Sequence, residues 1–297
     1  MRVFITGATG FIGTQVVREL IGKGHQVTGL ARSDAAAQAL AAAGARAHPG
    51  HLEDLESLRS GAAAADGVIH LAFIHDFSKY RENCEIDRRA IEVIGSAIAG
   101  SDRPFVVTSG TGIVLQGRVA TEDDRPDFGP DSIPRMAGEA AADAAAKRGA
   151  RVSIVRLPQV HDTRMQGLVT PLIAIARQKG VSAYVGDGSN RWPAVHLLDA
   201  AHLYCLVLEK GVAGARYHAV AEEGVSARDI AEVIGRRLNI PVVAKTIDEA
   251  MDHFGWLGAF VGRDSPASSA LTRERIGWRP AERGLIADLE EATNLGI

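Results

Sequence analysis

The segment TGATGFIG, residues 6 to 13, lies between the strand-like run RVFIT and the helical pattern FIGTQVVRELIGKG. No other feature restricts the fold of this chain as tightly. A chain that leaves a strand and enters a helix within a few residues needs a tight turn, which Gly7 allows. Gly10 then lets an anionic group approach the main chain, and Gly13 lets helix and strand pack closely. The amides at a helix start attract negative charge, so strand, glycine turn and helix in this order predict a dinucleotide pyrophosphate site. Contacts there are expected from Gly7, Thr9, Gly10, Phe11 and Ile12.

The same alternation continues downstream. HQVTGLA precedes DAAAQALAAAG, GVIHLAF precedes a helix ending near Ala99, and PFVVTS and RVSIVRLP follow as further strands. Near-continuous apolar strands separated by helices predict a parallel sheet covered on both faces, an α/β doubly wound (Rossmann) fold. After Pro158 the order loosens. QGLVTPLIAIARQKG and LLDAAHLYCLVLEK read as helices, the second with Asp199 as its expected N-cap. SARDIAEVIGRRLN reads as a helix capped by Ser226, with Ile230, Val233, Ile234 and Leu238 on one face, and the strand PVVAKT follows. Residues 1–158 are therefore expected to form the dinucleotide-binding domain, with 194–220 returning to it. Residues 159–193 and 221–297 are expected to form a smaller mixed C-terminal substrate lobe. The alanine-rich patches Ala35 to Ala43 and Ala140 to Ala146 read as helix propensity.

Composition narrows the partners. The net charge is −3 with no basic block, which argues against a phosphate-tracking surface for nucleic acid or a patch for anionic membrane. No apolar stretch reaches ~18 residues and no basic leader precedes the first strand, so a cytoplasmic protein with a small-molecule substrate is expected. Cys84 and Cys205 are isolated, which fits buried thiols in a reducing compartment. HPGH (48–51) and scattered histidines match no metal-binding arrangement, and no metal is expected. Ser109 lacks the Gly-x-Ser-x-Gly elbow of an α/β-hydrolase.

TGATGFIG, followed in order by GVIHLAF (67–73), FVVTSG (105–110), VRLPQVH (155–161) and GDGSNRWPAVHLLDAA (186–201), resembles the extended short-chain dehydrogenase/reductase superfamily, in its NAD(P)-dependent epimerase/dehydratase-like branch. SSALTRERIGWRP resembles the tail of that branch. The resemblance implies a nicotinamide cofactor whose phosphate state is read at the end of the second strand. Where an NAD enzyme places an acid, GLARSD offers Arg32 and Ser33, which suit a 2′-phosphate. NADP(H) is the expected cofactor and NAD(H) the alternative. Asp34 is expected to cap the next helix. The resemblance puts His51 and Leu52 where relatives carry an Asp-Leu pair on adenine, Leu71, Ala72 and Phe73 along the cofactor, and Thr108 beside the nicotinamide, with Leu157 a further cofactor-binding candidate.

In active relatives a Ser or Thr past the fifth strand orients the substrate carbonyl, and a Tyr-x-x-x-Lys pair supplies the proton. Here the hydroxyl position aligns with Gly110, leaving Ser109 and Thr111 as substitutes. The helix IPRMAGEAAADAAAKRG holds no tyrosine, and Arg135 and Glu139 stand at the spacing of the missing pair. Arg135 stays charged and could only hydrogen-bond or stabilise negative charge, while Glu139 could relay protons only with a raised pKa. The two read equally as an exposed helix ion pair. His161 stands where relatives often carry a tyrosine near the nicotinamide, and it reads either as a proton donor or as a packed histidine. His70 reads as core. His75 faces the open end of the sheet, and Tyr184, Arg191 and Trp192 are expected to line the substrate pocket, the last two by likeness to an Arg-aromatic pair that binds diphosphate in sugar-nucleotide relatives. Trp256 and Phe260 are further apolar candidates, and TEDDRP (121–126) reads as a solvated loop.

Together these residues predict an NADP(H)-dependent oxidoreductase acting on a small carbonyl, imine or activated alkene through a non-standard site. One alternative is a sugar-nucleotide epimerase or dehydratase with tightly held NAD, against which Arg32 and the missing pair count. Another is a catalytically silent NADP(H)-binding sensor. Relatives often pair through the helices flanking the sheet, so the resemblance also implies a homodimer.

Overall fold

The structure, a computed structural model, describes residues 1–114, 117–125 and 133–295; Leu115 and Gln116, and Pro126 of TEDDRP, lie outside the described residues. Strand and helix alternate as β1 (Arg2–Thr6), α1 (Phe11–Gly22), β2 (Gln26–Ala31), α2 (Asp34–Ala42), β3 (Arg46–Pro49), α3 (Leu55–Ala63), β4 (Gly67–His70), α4 (Tyr80–Ile98), β5 (Pro104–Gly110), α5 (Met136–Lys147) and β6 (Arg151–Leu157). The chain then leaves as β7 (Gln159–His161), α6 (Val169–Lys179), β8 (Ser182–Val185) and β9 (Arg191–His196). It returns through α7 (Leu197–Lys210) and β10 (Arg216–His218). Last come β11 (Glu222–Ser226), α8 (Ala227–Leu238), β12 (Val242–Lys245), α9 (Ile247–Phe254), α10 (Gly258–Val261), α11 (Ala270–Ile276) and α12 (Leu285–Glu290).

Seven strands form one sheet in the order β10-β6-β5-β4-β1-β2-β3, every neighbouring pair parallel. One face is covered by α1 and α7 through Val16, Leu20, Leu203 and Val207, the other by α3, α4 and α5 through Leu58, Ile91, Ile94 and Ala145. Burial on both faces is why the inner strands β1, β4, β5 and β6 read as near-continuous apolar runs. The alanines of α5 also let helices approach: a Cβ on Gly95 of α4 would stand 2.6 Å from the Ala145 Cβ. The winding reverses at β1, which lies between β2 and β4. Loops leaving β1 and β4 diverge there and open a crevice at the carboxyl ends of the strands.

The second lobe contains a three-stranded sheet, β11-β9-β7, and the pair β12-β8. Its core includes Trp192, Ile230, Val233, Leu257 and Leu285. The Ser226 hydroxyl accepts the Asp229 amide at 3.0 Å and caps α8. Two other caps differ from expectation. Ser33 rather than Asp34 caps α2, accepting from the Ala36 amide at 3.3 Å. His196 Nδ1 caps α7, accepting from the Leu198 amide at 3.2 Å, while Asp199 takes the amides of Ala281 and Glu282, each at 3.0 Å. That carboxylate ties the C-terminal segment to α7, a partnership that no local pattern encodes. No described helix is long and apolar enough to cross a membrane.

Candidate cofactor and active site

Gly7 turns with φ +71°, and a Cβ there would lie 2.8 Å from the Ala72 amide nitrogen beyond β4. A Cβ on Gly13 would stand 2.0 Å from the Gly7 carbonyl oxygen, so α1 seats against the turn only because both residues lack side chains. The Gly10 amide donates to the Gly7 carbonyl at 3.0 Å. No side chain caps α1 and no acid stands in its first turn, which leaves the helix start to an external anion. A cradle without room for a Cβ, opening on an uncapped helix, fits a dinucleotide.

Around this turn Thr9 and Gly10 are exposed, with Phe11 and Ile12 half-buried. Arg32 and Ser33 after β2 and His51 after β3 are exposed, while Leu52 and Leu71, Ala72 and Phe73 are half-buried. These residues follow the ends of β1, β2, β3 and β4 along one edge of the sheet. Arg32 has no ion pair among the described residues, and Ser33 retains a free O–H while its oxygen caps α2.

The strand pleat sends Thr108 and Ser109 of β5 to opposite faces. Thr108 Oγ1 donates to the His70 carbonyl at 2.7 Å and accepts from the Tyr204 hydroxyl at 2.8 Å, since its one hydrogen is committed. Burial pushes the Tyr204 phenol upward and keeps it protonated. Ser109 Oγ faces Glu139, helping to hold it ionised, but is buried without a hydrogen bond of good geometry. Thr111 is buried and reaches the half-buried Leu157 only through a long 3.4 Å contact to its carbonyl. At Gly110 a Cβ would meet only the Leu157 carbonyl oxygen at 3.8 Å, so the space aligned with the catalytic hydroxyl is open.

Arg135 and Glu139 do not pair. Arg135, the N-cap of α5, bonds Asp87 Oδ2 through Nη1 and the Thr108 carbonyl through Nη2 at 2.9 Å, with Cζ 4.4 Å above the Phe73 ring. Asp87 also meets His70 Nε2 at 3.1 Å, and His70 Nδ1 meets Thr6 Oγ1 at 2.8 Å. Burial opposes the Asp87 charge most strongly, but Arg135 and His70 together outweigh it and hold the carboxyl below its usual range. Thr6, His70, Asp87, Arg135, Thr108 and Tyr204 thus form one continuous polar network beneath the crevice.

Glu139 is buried and faces other cations. Arg156 donates to its two oxygens at 2.8 and 2.9 Å, and Arg216 donates at 3.0 Å. Burial works against its charge, yet Arg156 and Arg216 pull its pKa down to about 2. A carboxylate held that way is no proton relay. The exposed-pair reading fails because α5 is packed against both α4 and the sheet, where Arg156 of β6 and Arg216 of β10 supply nearer partners for Glu139.

His161 is fully buried, its Nδ1 2.7 Å from Asp288 Oδ2 and its Nε2 without a hydrogen bond. Burial pushes its pKa down, and the structure places it as a packed histidine beside Asp288 rather than at the crevice surface. Trp192 belongs to the core of the second lobe rather than to a pocket wall in the crevice. The Arg191 fork is taken by Asp264, at 3.1 and 2.9 Å. Tyr184 carries Arg228 over its ring at 5.2 Å and, with Trp192, lines an apolar depression within the lobe beside Ile230 and Phe254.

Phe77, Tyr80 and Asp87 escaped sequence reasoning. The loop after β4 carries Phe73, His75 and Phe77, followed by Tyr80 at the start of α4. The Phe77 ring lies face to face with Trp256 of the second lobe at 4.2 Å and 9°, and stacks on Tyr80 at 5.6 Å. Phe260 stands edge-on to Trp256 at 6.1 Å. His75 meets Phe73 at 5.2 Å, where desolvation and the Arg135 charge push its pKa below the usual value. Tyr80 borders Arg135 and the Cys84 thiol, and burial raises its pKa to about 12. Asp87 carried one usable signal, a charge on the same helical stripe as Ile91 and Ile94.

The model of the NAD dependent epimerase/dehydratase family matches residues 3–221, and this chain belongs to that family. An uncharacterized protein of Schizosaccharomyces pombe is 49% identical over 97% of this chain and 98% of its own length. An uncharacterized protein of Saccharomyces cerevisiae is 47% identical over 97% of this chain and 98% of its own. The sterol-4-alpha-carboxylate 3-dehydrogenase (decarboxylating) of Dictyostelium discoideum is 26% identical over 76% of this chain and 73% of its own. Among solved structures, a dTDP-glucose 4,6-dehydratase of Streptomyces venezuelae with NAD bound superposes with a TM-score of 0.78 at 19% identity, covering 99% of this chain and 96% of that one. The structure of MoeE5 with UDP-glucose and NAD gives 0.74 at 20% identity, covering 99% and 98%. At those identities the shared property is the fold.

Proposed function

We propose that this chain is an NADP(H)-dependent oxidoreductase that reduces a small carbonyl, imine or activated alkene. The observation that carries the reading is Arg135, a permanent cation above Phe73 whose fork is held by Asp87 and the Thr108 carbonyl. A bound NADPH supplies hydride. Arg135 stabilises the negative charge that develops on the substrate oxygen, and it does so without giving up a proton. The Tyr80 phenol, held protonated beside the same guanidinium, keeps the proton that the product oxygen takes up. Asp87 orients Arg135, and His70 and Thr6 orient Asp87.

Arg32 supports the phosphate preference, because an exposed guanidinium with no ion pair among the described residues can fork onto a 2′-phosphate, with the Ser33 O–H beside it. Arg191 counts against a sugar-nucleotide substrate, since Asp264 already neutralises it. By fluorescence titration NADPH should bind at least tenfold tighter than NADH, about 1.4 kcal/mol, and R32A should remove the difference. Equal affinities in the unaltered protein would overturn the NADP(H) assignment. NADPH consumption is then followed against aldehydes, ketones, imines and enones. Binding without turnover across that panel would replace the reductase with a cofactor-binding sensor.

A further inference from the structure

Resting on the oxidoreductase reading, we infer that the aromatic side chains over the crevice form a gated slot for a flat, uncharged ring system conjugated to a carbonyl. Phe77 comes from the loop after β4 and Trp256 from the turn between α9 and α10, so their stack joins the two lobes. The rings are nearly parallel, at 4.2 Å and 9°. Trp256 is 41% exposed, so this contact lies at the surface and not in a core. Inward of it Tyr80 lies against Phe77, tilted 25°, and beyond Tyr80 comes Phe73 with Arg135 over its face. From Trp256 inward the side chains in contact are therefore aromatic, and the series ends on a cation.

A flat ring is the ligand shape that offset stacking against such faces recognises. Its conjugated oxygen, directed inward, meets the group that stabilises negative charge. Arg191 is already paired with Asp264, which leaves a diphosphate without that counter-charge. Phe77 and Trp256 touch each other, so the ligand enters only by parting them, and its ring then replaces one stacking contact with two.

The test is calorimetric binding to the whole protein, with and without NADPH, of three probes: benzylideneacetone, its ring- and alkene-saturated analogue, and UDP-glucose. The flat ketone should bind at least about tenfold tighter than the saturated one. W256L and F77L, which keep apolar bulk but remove a π-face, should each weaken flat-ketone binding about fivefold, whereas W256F should stay within about twofold. Thermal melts confirm that each variant is folded. Equal binding of the two ketones, binding of neither, unchanged binding in W256L, or tighter binding of UDP-glucose would each overturn the slot. The parent reading fails differently: selective binding of the flat ketone without NADPH oxidation keeps the slot and removes the reductase. Equal turnover of both ketones keeps the reductase and removes the slot.

Discussion

A guanidinium in place of a phenol changes what the centre of the site does with charge. Tyrosine can give a proton to an alkoxide; Arg135 offers only a fixed positive field, whose direction depends on Asp87 and the Thr108 carbonyl. Truncation to alanine confounds this role with stability, because it strands the buried Asp87 charge at a cost of about 3–5 kcal/mol. R135K is the cleaner variant: it keeps the charge and loses the planar fork. We expect its kcat to fall by about a hundredfold or more while NADPH affinity stays within about twofold, as for loss of one preorganised donor. Steady-state kinetics beside a cofactor titration checks this, and an unchanged kcat would remove Arg135 from the chemistry. The sequence displays Arg135 and Glu139 at a suggestive spacing but not their partners, which lie on other elements: Asp87 on α4, Arg156 on β6 and Arg216 on β10.

At the scale of elements, legibility followed the range of the interactions. The turn TGATGFIG could be read in full because strand, turn and helix are neighbours in sequence, and each glycine answers to a contact made within that unit or at the adjoining end of β4. Asp199 was misread because a carboxylate in a first turn is ordinarily a helix partner, and here two amides from the distant C-terminal segment reach it first. The Phe77–Trp256 stack left no trace at all, since neither residue has a local pattern that points to the other. Helix α1 offers a test within one element. Gly13 and Gly22 both lie in it, but a Cβ on Gly13 collides with the Gly7 carbonyl whereas one on Gly22 meets nothing within 4 Å. G13A should lower stability by about 1–3 kcal/mol through forced displacement of the helix, and should weaken NADPH binding. G22A should be neutral or raise stability by about 0.5 kcal/mol, as alanine does over glycine in a helix. Paired thermal melts and cofactor titrations decide it, and a G13A protein indistinguishable from G22A would show that close seating is unnecessary.

Across the whole molecule, one buried charge cluster joins the far edge of the sheet to the segment leading into α11. Glu139 binds Arg156 and Arg216, and Arg156 Nη1 donates to His218 Nε2 at 3.3 Å. His218 Nδ1 donates in turn to the Ser268 carbonyl at 2.8 Å. That arrangement needs a neutral imidazole, and burial, reinforced by the Arg156 charge, lowers the His218 pKa to about 4 from 6.5. Glu139 is lowered to about 2 from 4.5. Both groups have folded values below their unfolded ones, so each contributes stability that is complete above its unfolded value and is lost as pH falls toward the folded one. For His218 the loss runs from 6.5 down to about 4, and for Glu139 from 4.5 down to about 2. Each shift corresponds to about 3 kcal/mol when complete. Chemical denaturation across this range should therefore show stability declining first below pH 6.5 and again below pH 4.5. H218Q should be less stable at neutral pH but should flatten the upper part of the decline, and E139Q should flatten the lower part. A wild-type profile that stays level from pH 7 to 4.5 would mean that His218 accepts a proton without cost. The contact from Arg156 would then have to break in the folded protein, and the cluster could not be what holds the segment before α11 against the sheet.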